Sequence, residues 1–238
     1  MRKTILKSFI SLMIFIFSCS AFADSVQIVY RATKATPEDA KIAGGLYPKG
    51  LDELWINQPP PNINLWDHVS SVSTTELGNG YISTTTARKF AIGWVHFNLD
   101  KNGYVYHIKT TPNFVDVNES LGKYSPYSSE REVAALGVIH WNQIIGWERI
   151  RNGKVDPFVP NPDYNERLYG SFSSSGAQPQ LAGFPINYKA WTEHPWVEFS
   201  NCVSKLFCFP IKSAQEFGEE FFWKAHYSIL GVIFAILD

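Results

Sequence analysis

The sequence of 238 residues predicts an α+β fold in which strands and short helices are mixed. Residues 26–33, "VQIVYRAT", alternate apolar and polar side chains, as expected of a strand with one buried face. Thr36 is a favoured N-cap, Pro37 suits the first turn of a helix and Gly44-Gly45 would end it. Strand and helix patterns do not alternate regularly farther along, which argues against a parallel sheet.

The later elements are predicted from local composition. Residues 66–80 are rich in Ser, Thr and Gly and are expected to form a long loop. β-branched residues at 82–86 predict a strand, and apolar residues at helical spacing predict a helix that starts near Ala87. Residues 103–117 alternate as a strand does, and residues 213–237 predict a helical tail.

Residues 1–23 have the pattern of a secretory signal peptide, with a basic start, an apolar centre and the closing residues Ala21-Phe22-Ala23. A transmembrane anchor is the alternative, but the apolar stretch is short for a membrane span. Lipidation at Cys19 is another, although the residues before it match a lipidation motif poorly. We therefore expect cleavage after Ala23 and secretion of the mature chain.

Charge and cysteine content exclude some classes of function. Lys and Arg number 21 and Asp and Glu 22, so there is no basic excess for binding nucleic acid. Removal of a signal peptide would leave Cys202 and Cys208, which in an oxidising compartment most simply form a disulfide. A metal site is the weaker alternative, because two cysteines without nearby histidines do not complete a tetrahedral zinc shell.

A pair of carboxylates stands out in residues 124–137, "YSPYSSEREVAALG". Ser129 and Glu132 match a capping box, which predicts the start of a helix. A glycine would end that helix after about two turns, however, and the sequel "GVIHW" is strand-like. In a strand, Glu130 and Glu132 would project from one face with Arg131 on the other. Two such carboxylates can divide the work of stabilising positive charge and accepting a proton.

This pair is the last of three motifs in the chain. Arg31 lies in "VYRAT", Ser83 begins the polar part of "GYISTTT", and the Glu-x-Glu pair follows. The order resembles the Arg, Ser-Thr-Ser, Glu-x-Glu signature of mono-ADP-ribosyltransferases. The segments "GGLYPKG", "NINLWDH", "QIIGWERI" and "LAGFPINYKAWTEHPW" are similar to the A subunits of the cholera toxin and heat-labile enterotoxin family. The resemblance runs from Val26 to about Trp196 and implies the mixed, mainly antiparallel two-sheet fold of ADP-ribosyltransferases.

The resemblance implies a role for each motif residue. Arg31 would hold the NAD site together, as a guanidinium suits phosphate and backbone contacts. Ser83 would brace the nicotinamide pocket and hydrogen-bond Glu132. Glu132 would bind the adjoining ribose and stabilise the oxocarbenium ion as nicotinamide leaves, and Glu130 would orient and deprotonate the acceptor. The other residues implied to contact NAD are Tyr30, Ala32, His68, Thr84 and Thr85.

These roles imply a secreted toxin A subunit that transfers ADP-ribose from NAD, its co-substrate, to an arginine of a host protein. Family analogy suggests a G-protein α subunit as the acceptor. An NAD glycohydrolase, with water as acceptor, is one alternative, and the presence of Glu130 argues against it. A toxin-like binding subunit with weakened catalysis is another, and the intact signature argues against that. No metal is required by the scheme.

The expected organisation has four parts. Residues 1–23 are the signal peptide, 24–201 the catalytic domain, 202–208 a short disulfide-bounded loop and 209–238 a helical tail. The resemblance implies that the tail binds a pentameric B subunit, and it suggests a host activating GTPase as a further partner. A tail that contacts a membrane is the alternative.

The sequence also departs from the family pattern. Thr33 stands where the family usually has an acid, and Ile92 where the relatives have a histidine. Lys205, inside "CVSKLFC", is a candidate for a proteolytic nick, with a simple stabilising disulfide as the alternative. Residues 69–79 are the candidate for a mobile loop that gates the NAD site. For His68, a structural histidine in a loop is the alternative to a role in the site.

Overall fold

The computed structural model describes residues 25–48, 62–70, 79–204 and 207–237. These residues form twelve strands and six α-helices, joined by short 3-10 turns. The strands are β1 (Ile28–Thr33), β2 (Gly45–Leu46), β3 (Tyr81–Thr85), β4 (Gly103–Lys109), β5 (Phe114–Asp116), β6 (Glu132–Leu136), β7 (Ile139–His140), β8 (Ile144–Arg151), β9 (Lys154–Val155), β10 (Val159–Pro160), β11 (Ser200–Ser204) and β12 (Phe207–Pro210). The helices are α1 (Pro37–Ile42), α2 (Leu65–Val69), α3 (Arg88–Asn98), α4 (Val117–Leu121), α5 (Glu166–Tyr169) and α6 (Ala214–Leu237).

Two antiparallel sheets meet at one pair of residues. Hydrogen bonds connect their strands in one continuous order, β10-β8-β4-β1-β3-β6-β5, with β9 paired to β8, and the first sheet ends at β1 where the second begins at β3. Tyr30 of β1 pairs with Thr85 of β3, and this pair joins the sheets. The ribbons β2–β7 and β11–β12 are separate from both. The mainly antiparallel, two-sheet α+β fold predicted above is confirmed.

The first strand and helix form as the sequence predicts. Along β1, Tyr30 and Ala32 pack under α3, and Val29 faces the opposite core. Thr36 caps α1 by accepting a hydrogen bond from the Asp39 N–H, and the Asp39 carboxylate accepts one from the Thr36 N–H. Such reciprocal capping satisfies backbone donors that a helix start leaves unpaired.

Three apolar cores hold the elements together. The central one draws on β1, β4 and β8 of the first sheet and on β3, β5 and β6 of the second, so it lies between the sheets. A second core lies under α3. The third and largest covers the outer face of β3 and β6 with residues from α2, α4 and α6. Close packing in this core therefore holds the apolar part of the outer face of β3 and β6 in place.

The tail predicted at residues 213–237 is the helix α6. Ser213 and Glu216 form its capping box, and the Arg167 guanidinium donates to the Ile236 carbonyl near its end. Phe221, Phe222 and other apolar residues of its first half are buried in the largest core. Among the described residues, none of the helices combines the length and apolar character needed to cross a membrane.

The predicted disulfide is present. Cys202 and Cys208 are opposite each other in the β11–β12 ribbon, with an S–S distance of 2.06 Å. A disulfide fits an exported, extracellular protein. Lys205, the candidate nick site, lies outside the described residues.

One local prediction was wrong. The long loop expected at 66–80 contains most of α2, which Asn64 caps by accepting a hydrogen bond from the Asp67 N–H. Residues 71–78, most of the proposed gating loop, lie outside the described residues. The capping box at Ser129, the alternative that the sequence disfavours, does not form, because the chain after it is the strand β6 rather than a helix.

Candidate active site

The predicted site residues meet where the two sheets join. β1 brings Arg31 to the junction, and the backbone of β3 runs beside it. β3 also pairs with β6, with Thr85 opposite Glu132 and Ser83 opposite Ala134. Because alternate residues share a face of a strand, Ser83, Thr85 and Glu132 lie on the same face. Three distant sequence motifs thus form one cluster.

Glu132 and His68 form a buried hydrogen-bonded pair. His68 Nε2 lies 2.9 Å from Glu132 Oε1, and the exposed fractions of the two residues are 7% and 8%. Ser83 also hydrogen-bonds the Glu132 carboxylate, and its hydroxyl lies 3.2 Å from His68 Nε2. α2 fixes the imidazole, since Leu65 and Val69 on either side of it are buried in the core. The predicted role of His68 as a site residue therefore has a structural basis.

The other ring nitrogen of His68 contacts Asn79. The Tyr81 N–H donates to Asn79 Oδ1 over 3.0 Å, which fixes that atom as an acceptor. Asn79 Nδ2 lies 2.9 Å and Oδ1 3.0 Å from His68 Nδ1. In the neutral ring Nδ1 accepts from the amide, and in the charged ring it donates to the amide oxygen. An ionised Glu132 carboxylate can only accept, so the Nε2 that faces it carries a proton and donates a hydrogen bond to Glu132.

These contacts keep Glu132 ionised. Burial alone would raise the pKa of its carboxyl. The attraction and hydrogen bond of His68, the hydrogen bond from Ser83 and the charge of Arg31 outweigh burial, so the pKa lies below its ordinary value. The site therefore holds a fixed negative charge in a place from which water is largely excluded.

Arg31 supplies the positive charge. Its Nη1 donates to the Ser83 carbonyl over 2.6 Å, which links β1 to β3 beside the junction. Burial lowers the pKa of Arg31 to about 10, and the charge of Glu132 opposes that fall. The guanidinium is thus protonated at neutral pH. It binds the strand backbone and offsets part of the charge of Glu132.

Glu130 does not lie on a strand, contrary to the prediction. It ends a 3-10 turn, Ser128–Glu130, and β6 begins only at Glu132. Between them Arg131 has a φ of 48°, in the left-handed region, which breaks the alternation expected of an extended chain. Thr85 Oγ1 donates to the Glu130 carbonyl over 2.7 Å and stabilises this bend. Arg131 is exposed, but it does not lie on the opposite face of a strand as predicted.

The two carboxylates have opposite properties. Glu130 is half-buried, and its carboxylate accepts no hydrogen bond within the described residues. Burial, and then the charge of Glu132, raise the pKa of Glu130. A carboxylate without partners and with a raised pKa is suited to accept a proton, whereas Glu132 is suited to stabilise a cation. The two carboxylates are therefore suited to different chemical roles, even though they do not lie on one strand.

Three predicted NAD contacts have side chains directed elsewhere. The Thr84 hydroxyl, on the other face of β3, donates to the Val133 carbonyl and holds β3 to β6. Tyr30 and Ala32 pack under α3. A contribution of these two to ligand binding would have to come from their backbone atoms. The two residues that depart from the family pattern are structural here, since Thr33 Oγ1 accepts from the Ala35 N–H and Ile92, on α3, packs against the core beneath that helix.

Sequence reasoning missed the two amides that support the site. Asn79 contacts His68 as described above, and Asn118 hydrogen-bonds the turn that carries Glu130. Neither belongs to a motif. The described residues contain no group of three or more His, Cys, Asp and Glu arranged to hold a metal ion.

Fold and site together define a class. Two antiparallel sheets joined beside Arg31, with a Ser-Thr-Thr strand and an unequal Glu-x-Glu pair, are the arrangement of an ADP-ribosyltransferase, an enzyme that uses NAD as its substrate. The chain belongs to the heat-labile enterotoxin alpha chain family, whose sequence model matches residues 6–221. It is thus a member of a family of ADP-ribosyltransferase toxins.

Individual relatives agree with this assignment. The A chain of heat-labile enterotoxin IIB from Escherichia coli is 39% identical over 203 residues, covering 82% of this chain and 75% of the relative. An NAD(+)–arginine ADP-ribosyltransferase from Vibrio cholerae is 35% identical over 202 residues, or 82% of this chain and 33% of that protein. The solved structure of a heat-labile enterotoxin double mutant superposes with a TM-score of 0.70, at 30% identity, over 88% of this chain and 96% of the other.

Proposed function

We propose that the protein transfers ADP-ribose from NAD to an arginine side chain of a host protein and releases nicotinamide. The observation that carries the proposal is the unequal carboxylate pair, with Glu132 buried against His68 and the Glu130 carboxylate accepting no hydrogen bond from a described residue. The similarity to an NAD(+)–arginine ADP-ribosyltransferase supports arginine as the acceptor.

Cleavage of the glycosidic bond to nicotinamide is the step that needs Glu132. As nicotinamide leaves, positive charge develops on the ribose. A fixed carboxylate stabilises that charge strongly where water is excluded, because it needs no reorganisation during the reaction. Glu132 meets this requirement, and Ser83 and His68 hold it in place. In the proposed role Arg31 binds the phosphate or ribose part of NAD near its contact with β3.

Attack by the acceptor is the step that needs Glu130. A guanidinium is protonated at neutral pH and is a poor nucleophile in that form. A neighbouring carboxylate can orient it and accept a proton as the new bond forms. The raised pKa of Glu130 makes it a stronger base than an exposed glutamate, and its half-buried place beside Glu132 leaves it accessible to an acceptor.

The wider setting is proposed by analogy. Residues 1–23 would be removed on export, 24–201 would form the catalytic domain and 202–208 a disulfide-bounded loop. Residues 209–238 would bind a pentameric B subunit. Tyr227, an aromatic residue of α6 that is 63% exposed, supports a partner for the second half of that helix. A host G-protein α subunit as acceptor and a host activating GTPase complete the proposal.

The test uses purified protein, NAD labelled in the adenosine part, and agmatine as a small stand-in for an arginine side chain. We expect labelled agmatine with the wild type and none with Glu132→Gln. Glu38→Gln, which alters an exposed glutamate of α1, is the control and should retain full transfer. Free ADP-ribose without labelled agmatine would favour an NAD glycohydrolase. Full transfer by Glu132→Gln would overturn the proposal.

A further inference from the structure

We propose that Asn118 is a positioning residue for Glu130. Its side-chain amide fixes the turn that presents the Glu130 carboxylate to the acceptor. The inference rests on the proposed transfer function, and it assigns a role in one half of the reaction to a residue outside the three motifs.

The carboxylate of Glu130 depends on its backbone for its position. No hydrogen bond from the described residues holds the carboxylate itself, unlike Glu132, which His68 and Ser83 both hold. The turn at residues 125–130 has little support of its own. The Glu130 N–H donates to the Tyr127 carbonyl over 2.9 Å, and the Arg131 N–H reaches the Ser128 carbonyl only at 3.4 Å.

Asn118 holds this turn at two points. Its Oδ1 accepts a hydrogen bond of 2.7 Å from the Ser125 hydroxyl, and its Nδ2 donates one of 2.8 Å to the Ser128 carbonyl. One half-buried amide thus fixes both the beginning and the middle of the turn. Thr85 Oγ1 fixes its end through the Glu130 carbonyl. These hydrogen bonds connect the turn, from Ser125 to the Glu130 carbonyl, to α4 and β3.

The helix that carries Asn118 is a rigid support. Asp116 caps α4 by accepting from the Glu119 N–H, and Val117 and Leu121 are fully buried. Ser120 connects α4 to the rest of the fold, since its hydroxyl accepts from the Gln178 N–H and its carbonyl from the Trp196 indole N–H. Because α4 is anchored in this way, the Asn118 amide can hold the turn in a fixed position.

The effect should be confined to transfer. Among the described residues, Asn118 makes no hydrogen bond to Arg31, His68 or Glu132. The groups proposed to cleave NAD are therefore unchanged by its removal. A purely structural role for Asn118 would instead lower both activities together or change only the stability.

The experiment compares two activities of Asn118→Ala with those of the wild type. One is transfer to agmatine and the other is hydrolysis of NAD without an acceptor. Misplacement of a catalytic group by about 1 Å can cost about 100-fold in rate, so we expect transfer to fall about 10- to 100-fold. Hydrolysis should stay within about two-fold, and the KM for NAD should not change, because the cleavage groups are intact.

Asn113 offers a matched control. Its Oδ1 accepts from the Thr111 hydroxyl over 2.5 Å and its Nδ2 donates to the Leu136 carbonyl over 2.8 Å. Asn113→Ala thus removes the same pair of bonds from the end of β6 that lies away from Glu130. We expect it to leave the ratio of transfer to hydrolysis as in the wild type.

The outcomes separate the two proposals. An unchanged ratio in Asn118→Ala, with transfer by the wild type, would overturn the role of Asn118 alone. No transfer by the wild type would overturn the proposed function and this role with it. If Asn118→Ala does not fold, Ser125→Ala removes only one of the two hydrogen bonds and should lower the ratio by a smaller factor. An unchanged ratio in that variant would also overturn the role.

Discussion

His68 Nε2 lies 2.9 Å from Glu132 Oε1, and both side chains are almost completely buried beside the junction of the two sheets. A buried carboxylate is stable only when it is paired and hydrogen-bonded. His68, Ser83 and Arg31 meet that need without adding a second negative charge. The pair therefore explains how the chain keeps an ionised glutamate in a site suited to stabilise a cationic sugar.

Substitution of His68 should weaken cleavage of NAD. His68→Ala removes a hydrogen bond to a charged group, worth about 1.5–3 kcal/mol, which corresponds to about 10- to 100-fold in rate. The pKa of Glu132 should rise without this partner, so the acidic limb of the pH profile for NAD hydrolysis should move to higher pH. Steady-state rates between pH 4 and 8 provide the measurement, with His96→Ala on α3 as control. An acidic limb at its original pH would contradict the proposed effect of His68.

Transfer and hydrolysis should respond differently to acid. The pKa of Glu130 is raised and the pKa of Glu132 is lowered, so Glu130 becomes protonated first as the pH falls. Transfer requires Glu130 as a base and should be lost at a higher pH than hydrolysis, which requires only ionised Glu132. Both rates should be measured in one pH series on the wild type. Coincident acidic limbs would be evidence against separate roles.

Glu148 should contribute to stability rather than to chemistry. It is buried on β8, where Arg88 forms two hydrogen bonds to its carboxylate and His107 Nε2 lies 3.0 Å from Oε2. Glu148→Gln leaves these donors imperfectly paired and should cost about 1–3 kcal/mol in the free energy of unfolding. Urea denaturation at pH 7 measures this loss. Asp156→Asn, which breaks a more exposed pair with Arg151, should cost about 0–1 kcal/mol.

The contribution of Glu148 should also depend on pH. The hydrogen bonds from Arg88 and, to a smaller extent, the hydrogen bond with His107 hold the pKa of Glu148 below its ordinary value, although burial opposes them. A lowered pKa in the folded state gives stability that is present above the ordinary glutamate pKa and is lost as the pH falls through the folded value. The stabilities of the wild type and Glu148→Gln should therefore converge in acid. A constant difference from pH 7 down to acid would contradict this.

The disulfide should matter for stability and not for the reaction. The crosslink between Cys202 and Cys208 closes a short loop. By restricting the unfolded chain, such a crosslink contributes about 2 kcal/mol to the free energy of unfolding. Replacement of both cysteines by serine should therefore lower the Tm by several degrees. Transfer to agmatine below that temperature should be retained, since the β11–β12 ribbon contributes no described residue to the site. Loss of transfer by the folded double variant would contradict this separation.

Alternation along the sequence predicted β1, but the resemblance to the toxin family, rather than a local pattern, grouped Arg31, Ser83 and Glu132 in one site. In the structure these residues come together because their strands are neighbours in the sheet order. The arrangement of Glu130 could not be derived this way. A left-handed Arg131 is unfavourable on its own, and hydrogen bonds from Thr85 and the Thr86 N–H to this bend stabilise it.

The supporting amides of Asn79 and Asn118 could not be predicted from the sequence either. Asn118 contacts Ser125 and Ser128, which are seven and ten residues away, and nothing in local composition marks that contact. α2 was mistaken for a loop because its five residues are too few to show a helical period. Asn64 and Asp67 were the available signal, since a capping asparagine precedes an acid in the first turn.

The most direct test of the account is the product ratio of Glu130→Gln. The variant keeps the shape of the side chain and leaves Glu132, His68, Ser83 and Arg31 unaltered. Labelled agmatine and released nicotinamide are measured in the same reaction. We expect transfer to fall at least about 100-fold, the typical contribution of a general base, while NAD hydrolysis stays within a few-fold of the wild type. Equal loss of both activities, or full retention of transfer, would contradict the assignment of Glu130 to the acceptor and Glu132 to NAD.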